Sequence, residues 1–316
     1  MRLLRRFLAG RQNWIGLGIV GIFLVIALAA HFLSPPDGTN IFYPFLKRSA
    51  EPEEQQSSPQ PPSRDHPLGT LPHGFDVYHA LIWGARDALR LGLIVATGSA
   101  ALGMVIGAVS GYVGGSFNQF VLWVTDSFLA FPIIAGVVLF RSLLSISMGS
   151  GPAAGAPSPI QWLFLTLRLD PVMIALILFS WTRYARLINA NVARMKALPY
   201  IQAAKSLGAG SGRVLLRHLI PNAISPAIVL AARDIGGMVM LQAAFSFIGV
   251  DGGSPWGVLL ANGRAWIISP SGNLLEYWWV YLPATVTLVL FGIGWNLLGD
   301  GLNNLLNPHT VHRKLW

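Results

Sequence analysis

The sequence predicts an all-α, polytopic membrane protein with six transmembrane helices and both termini cytoplasmic. Three observations carry that reading. Of the 316 residues, 53% are hydrophobic and only 11% are charged, whereas an average soluble domain is about a quarter charged. The apolar residues gather into runs of about 20, the length a helix needs to cross a bilayer core. The basic residues, which set a formal net charge of +9, lie between those runs rather than on a polar domain. They therefore fit membrane orientation better than nucleic-acid binding. The chain has no cysteine, which excludes a disulfide, a thiolate metal site and a cysteine nucleophile.

After a cytoplasmic N-terminus (1–13), the first span is expected over 14–33. It is interrupted only by His31, is longer than a signal-peptide core, and has no small-x-small cleavage site before "SPPDG", so it is expected to remain uncleaved. Residues 34–85 form an external segment whose "SAEPEEQQSSPQPPSRD" run cannot bury enough apolar surface to fold alone and reads as a linker. "HPLGTLPHGFDVYHALIWGARDALR" then looks like an ordered lead-in to a five-helix core over 86–306. Its spans are expected at 91–113, 120–140, 171–189, 223–248 and 277–299. The second of these holds Asp126 and a bend at Pro132, and the last holds a bend at Pro283. The span at 171–189 is the shortest and ends at Arg183 and Arg186, read as snorkelling to an interface. Trp256 and Trp266, in the external loop before the last span, suit an interfacial position.

Orientation follows from the basic residues. Arg2, Arg5, Arg6 and Arg11 precede the first span without an acid, and Arg183, Arg186, Arg194, Lys196, Lys205, Arg213 and Arg217 follow the fourth span without one. Both segments are expected to be cytoplasmic, and six spans place the tail (307–316) with Arg313 and Lys314 on the same side. His309 and His312 in that tail lack a third ligand and do not indicate a metal site.

The cytoplasmic loop at about 190–221 reads as a helical hairpin. Residues 200–207 favour helix, Gly208 stands where a left-handed stop belongs, Ser211 can cap a second short helix, and Pro221 ends it. Ala203 and Ala204 allow close approach of another surface, while Arg213 and Arg217 share one face. Spacing alone leaves open whether this loop docks a partner or only orients the chain.

The order Gln202, Ala203, Ala204, then Gly208, then Pro221 at the end of "RHLIP" resembles the EAA loop of ABC-importer permeases, with Gln202 where those permeases often carry Glu. "HPLGT", "GARDALRLGL", "GYVGG", "DSFLAFP", "AAKSLGAG", "RHLIPNAISP", "FSFIGV" and "NLLGDGL" resemble, in order, the dipeptide and oligopeptide permeases of the C type. The resemblance implies the type I ABC importer permease fold and a bacterial or archaeal cytoplasmic membrane. It also implies a non-identical B-type permease partner, two ABC ATPase subunits that carry ATP and Mg, and an external solute-binding protein. By the same resemblance the ATPase-coupling residues are Gln202, Ala203, Ala204, Lys205, Gly208, Arg213, Arg217 and Pro221. The chain has no phosphate loop, so no nucleotide site of its own is expected. The implied cargo is di- or oligopeptide, with nickel complexes and other small solutes as the alternative.

Asp126, Arg233 and Asp234 are costly in a bilayer, about 2.5–3.5 kcal/mol each at a helix centre, and should face protein or water. Asp126 reads chiefly as a packing residue. Asp234 stays open between packing, or contact with the partner permease, and a role along the translocation path. A rival reading, an ATP-independent secondary transporter, would make Asp126 and Asp234 its ion sites. Gly103 and Gly107 supply small surfaces for packing within the chain.

Overall fold

A computed structural model of the chain describes residues 10–36, 58–149, 170–250, 253–268, 272–273 and 275–306. Arg2, Arg5, Arg6, the acidic part of the external segment and the tail with His309, His312, Arg313 and Lys314 lie outside the described residues. Among the described residues the secondary structure is helical, apart from one isolated bridge between Thr70 and Asp76. In chain order the helices are α1 (Arg11–Leu33), α2 (Val77–Val113), α3 (Gly115–Ala130), α4 (Ile133–Gly149) and α5 (Pro171–Lys196). There follow α6 (Pro199–Ser206), α7 (Ser211–Val214), α8 (Ile220–Phe247), α9 (Pro255–Gly263) and α10 (Trp278–Leu306).

α1, α2, α5, the continuous helix Ser211–Phe247 and α10 are each long and apolar enough to cross a membrane. The remaining candidate is broken: α3 and the Ile133–Leu143 part of α4 meet at an angle of 94°. The single span expected over 120–140 is corrected accordingly. Pro132 lacks an N–H and pushes the residue before it out of the helical region, and Phe131 is indeed extended (φ −82°, ψ 132°). Pro226 and Pro283 both stay inside continuous helices. The lead-in and the second span are one helix of 37 residues, because nothing between Val77 and Val113 breaks the backbone pattern.

The chain forms two compact units, the first built on Ile94–Asp234 and the stretch that starts at Gly299, the second on Ile235–Leu298 and the part that ends at Leu93. In the first unit α5 is central. More than half of its apolar window (56%) is buried, against 22% for α1, and it packs against both α3 and α4. Its contact with α2 is backbone to backbone. A Cβ added at Gly98 would lie 2.9 Å from Ile177, at Gly103 2.5 Å from the Trp181 carbonyl, and at Gly111 2.7 Å from the Asn189 carbonyl. At Gly107 it would run into the Ala185 carbonyl. Small residues at this spacing let membrane helices approach closely. Because residues 98–111 of α2 match 177–189 of α5 in the same order, the two spans run the same way. The chain between Val113 and Pro171 must therefore recross the membrane, and the broken pair is the described candidate for that crossing, which brings the count to six.

In the second unit α1 and α10 run antiparallel. Gly16 abuts Leu297, Gly294 abuts Ile19, and Phe23 meets Phe291 edge to face at 5.2 Å. Trp256 is enclosed by the protein itself: it is 1% exposed, packed by Phe23 and Phe291, and donates from Nε1 to the Leu81 carbonyl at 3.1 Å. Gly84 makes room for the indole, since a Cβ there would overlap it. α9, capped by Ser254, which accepts from the Gly257 N–H, holds the tryptophan in place. Asp76 opens α2 by accepting from the His79 N–H at 2.9 Å, and its other oxygen pairs with His66 at 2.7 Å.

The glycine stripe generates a prediction. Gly103→Ala and Gly107→Ala should each force α2 from α5 and destabilise the protein by about 1–3 kcal/mol, the usual cost of overpacking. Gly18→Ala, inside α1 where nothing lies within 4 Å, should leave stability unchanged or raise it by up to about 1 kcal/mol. Thermal unfolding of the purified protein in detergent reads the difference.

Candidate functional site

The loop after α5 is built from local chain chemistry. Pro199 sits at the first turn of α6, where its missing N–H costs nothing, and Leu198 N–H bonds to the Met195 carbonyl at 3.0 Å. Gln202 is exposed, and its Nε2 donates to the Lys196 carbonyl at 3.1 Å, tying α6 to the end of α5. Gly208 takes a left-handed conformation (φ +85°). Around it the Ala209 N–H reaches the Ala204 carbonyl and the Gly208 N–H reaches the Lys205 carbonyl, at 3.0 and 2.9 Å, the Schellman pattern that closes a helix.

Two local expectations are corrected. Ser211 is not a cap, since Gly210 holds that position and no side chain bonds there. Pro221 does not end a helix either. Leu215–Leu219 form a π turn in which the Ile220 N–H reaches back to the Leu215 carbonyl, and the helix runs on through Pro221 into α8. A proline clashes with the carbonyl four residues before it. The wider turn, which includes that residue, Arg217, relieves the clash without stopping the helix.

One face of the loop is anchored. Ile201, Val214 and Leu219 are fully buried in a cluster with Ala108, Tyr184, Ile188 and Val192. The other face is open and partly apolar: Tyr200 is 44%, Leu216 68% and Leu207 89% exposed. Ala203, Gly208, Arg213, Arg217 and Pro221 are exposed too, whereas Ala204 and Lys205 are half-buried. The sequence-assigned loop residues thus lie in one anchored element.

The intramembrane charges pair across helices. Arg183 and Tyr184 of α5 both donate to the Asp234 carboxylate, at 3.1 and 2.8 Å. Arg186 pairs with Asp126 of α3, and Arg233 with Asp300 of α10. Arg183 and Arg186, expected to snorkel, also serve as ion-pair partners. Being three apart, they share a face of α5, yet they reach different helices. Asp234 is nearly enclosed, with 10% of its side chain exposed, while the Arg186–Asp126 pair is about half exposed (48% and 54%). Asn189 adds a neutral link, donating to Ser110 at 2.8 Å and Asn118 at 2.5 Å. Tyr184, Asn189 and Asp300 were not singled out from sequence. The available signal was an unmatched count, since arginines inside apolar runs need acidic partners somewhere in the fold.

Apolar helices of membrane-crossing length joined by paired charges define a multi-pass membrane protein. Residues 103–312 match the model of binding-protein-dependent transport system inner membrane components, and the chain belongs to that family, the permease subunits of ABC importers. It is 29% identical to a dipeptide transport system permease protein of Alkalihalophilus pseudofirmus over 93% of this chain and 84% of the relative. It is 30% identical to a glutathione transport system permease protein of Pectobacterium atrosepticum over 96% of this chain and 89% of the relative. A probable D,D-dipeptide transport system permease protein of Escherichia coli is 30% identical over 78% of this chain and 75% of its own length.

The Asp234 pairing generates a prediction. Asp234→Leu removes the hydrogen bonds from Tyr184 and from Arg183, which is 42% exposed, and should destabilise the protein by about 1.5–3 kcal/mol, whereas Arg183→Leu, which strands the enclosed carboxylate, should cost about 3–5 kcal/mol. The double variant should recover much of the Arg183→Leu loss. Unfolding midpoints of the four proteins form the cycle that measures it.

Proposed function

We propose that this chain and a B-type permease subunit together form the translocation path of an ABC importer for di- or oligopeptides, in a bacterial or archaeal cytoplasmic membrane with both termini cytoplasmic. Its loop at about 190–221 docks on an ATPase subunit, two of which carry the ATP and Mg, and an external solute-binding protein delivers the cargo. The observation that carries this reading is the loop's two-sidedness: a buried face fixed to α5 by Ile201, Val214 and Leu219, and an open face led by Leu207 at 89% exposure. Three exposed apolar side chains on one short loop outside the apolar spans, Tyr200, Leu207 and Leu216, suit a partner surface better than any one of them would, and the anchored face would pass motion of that partner to α5 and α8 directly.

The relatives named for dipeptide and glutathione transport support a short-peptide cargo, glutathione being itself a peptide. The ion-transporter reading is less well supported, because Asp126 and Asp234 each already have an arginine partner. Of Asp126, Arg233 and Asp234, the three candidates for the translocation path or a partner contact, Asp126 is the most exposed on this chain and Asp234 the most enclosed. Arg233 is paired with Asp300.

Gly208 provides the test. No atom lies within 4 Å of a Cβ added there, so a side chain meets only the left-handed backbone penalty, of about 1–2 kcal/mol, and whatever docks outside. In complexes reconstituted with their ATPase subunits, Gly208→Ala should keep most transport. Gly208→Glu should lower transport by about tenfold or more, a loss of at least about 1.4 kcal/mol of coupling. It should also abolish stimulation of ATP hydrolysis by loaded binding protein. Normal stimulated hydrolysis in Gly208→Glu would refute the docking role.

A further inference from the structure

Tyr112 is the penultimate residue of α2 and Lys196 the last residue of α5, so both stand where their spans leave the apolar core. The Lys196 ammonium lies 5.5 Å and the Lys205 ammonium 5.2 Å from the centre of the Tyr112 ring. Lys196 also donates to the Tyr112 carbonyl at 2.5 Å. Both lysines are half-buried, and neither takes part in the ion pairs formed by Asp76, Asp126, Asp234 and Asp300. The first turn of α3, which begins beside them at Gly115, carries no acid. A ring face attracts each ammonium separately, but two cations held at one ring repel each other, and none of those ion pairs neutralises them.

The place of the cluster in the chain favours an anion of the membrane face. It lies at a membrane face, at the ends of two spans, where a tyrosine ring favours the headgroup layer and where basic residues attract anionic lipids by about 1 kcal/mol each. Arg213 and Arg217 on the same loop add further positive charge with no acid between them. We propose that Lys196, Lys205 and the ring of Tyr112 form a binding site for the phosphate of an anionic membrane lipid, of the phosphatidylglycerol kind. Lys196 belongs to α5 and Lys205 to α6, so a phosphate between them would fasten the loop to the span and make its position depend on the lipids around it.

The test uses the purified full-length permease, with native mass spectrometry after titration with phosphatidylglycerol, phosphatidylcholine or inorganic phosphate. Wild type should retain phosphatidylglycerol in preference to phosphatidylcholine. Lys205→Gln should weaken that retention by about fivefold, the loss of about 1 kcal/mol, and Lys205→Arg should keep most of it. Arg194→Gln removes an equal charge from the same end of α5, at an exposed residue bonded only to Asn191 among its neighbours, and should change nothing. Unfolding midpoints, measured in parallel, separate lost binding from lost structure. The proposal is overturned if wild type does not distinguish the two lipids, or if Arg194→Gln loses as much as Lys205→Gln. It is also overturned if inorganic phosphate displaces the lipid at equal concentration, which would assign the site to a soluble anion.

Discussion

Arg183 of α5 and Asp234 of α8 settle where the spans of the first unit can go. Each charge alone would make its helix costly to insert, and together, with the Tyr184 hydroxyl as a second donor, they turn that cost into a positional constraint. α5 cannot rotate without losing Asp234, and it cannot slide along α2 without driving Trp181, Ala185 or Asn189 into the glycine stripe. One helix is thus fixed by a polar link on one side and by backbone contact on another. The loop inherits that rigidity, because its buried residues pack on Tyr184, Ile188 and Val192 of the same helix.

The arrangement explains how so short a loop is held rigid. α6 has only 8 residues, too few to be stable alone, since isolated helices shorter than about 12 residues are marginal. Its stop at Gly208 is satisfied by backbone bonds, its start is tied back through Gln202, and the π turn before Pro221 carries the helix into α8 without an unsatisfied break. The Gln202 amide donates to the Lys196 carbonyl, a bond that the glutamate often found there in related loops cannot make when ionised. In this chain the position works as a hydrogen-bond donor.

Much of this was legible in the sequence where the deciding physics is local. The apolar runs and the left-handed glycine at 208 depend on residues close together in the chain. The break at Pro132 was foreseen as a bend but not as a turn of 94°, because proline reports where a helix weakens and not how far its halves diverge. Pro221 misled in the opposite direction, since a π turn can absorb a proline that would otherwise terminate. The ion pairs were illegible for another reason: Arg183 and Asp234 are 51 positions apart, and Arg233 and Asp300 67. Their partnership is set by how the helices pack. The burial of Trp256 was illegible likewise, for what admits the indole is a missing side chain at Gly84.

The central claim is that the open face of the loop is a docking surface for the ATPase subunit, and the cysteine-free chain permits a direct measurement. A cysteine introduced at Leu207 (89% exposed) and one at Leu28 (75% exposed, within α1) can each be reacted with a short thiol-directed photo-crosslinker in complexes that contain the ATPase subunits. Leu207→Cys should cross-link to an ATPase subunit and Leu28→Cys should not. Cross-linking of Leu207→Cys to lipid alone, with assembly and transport intact, would contradict the claim.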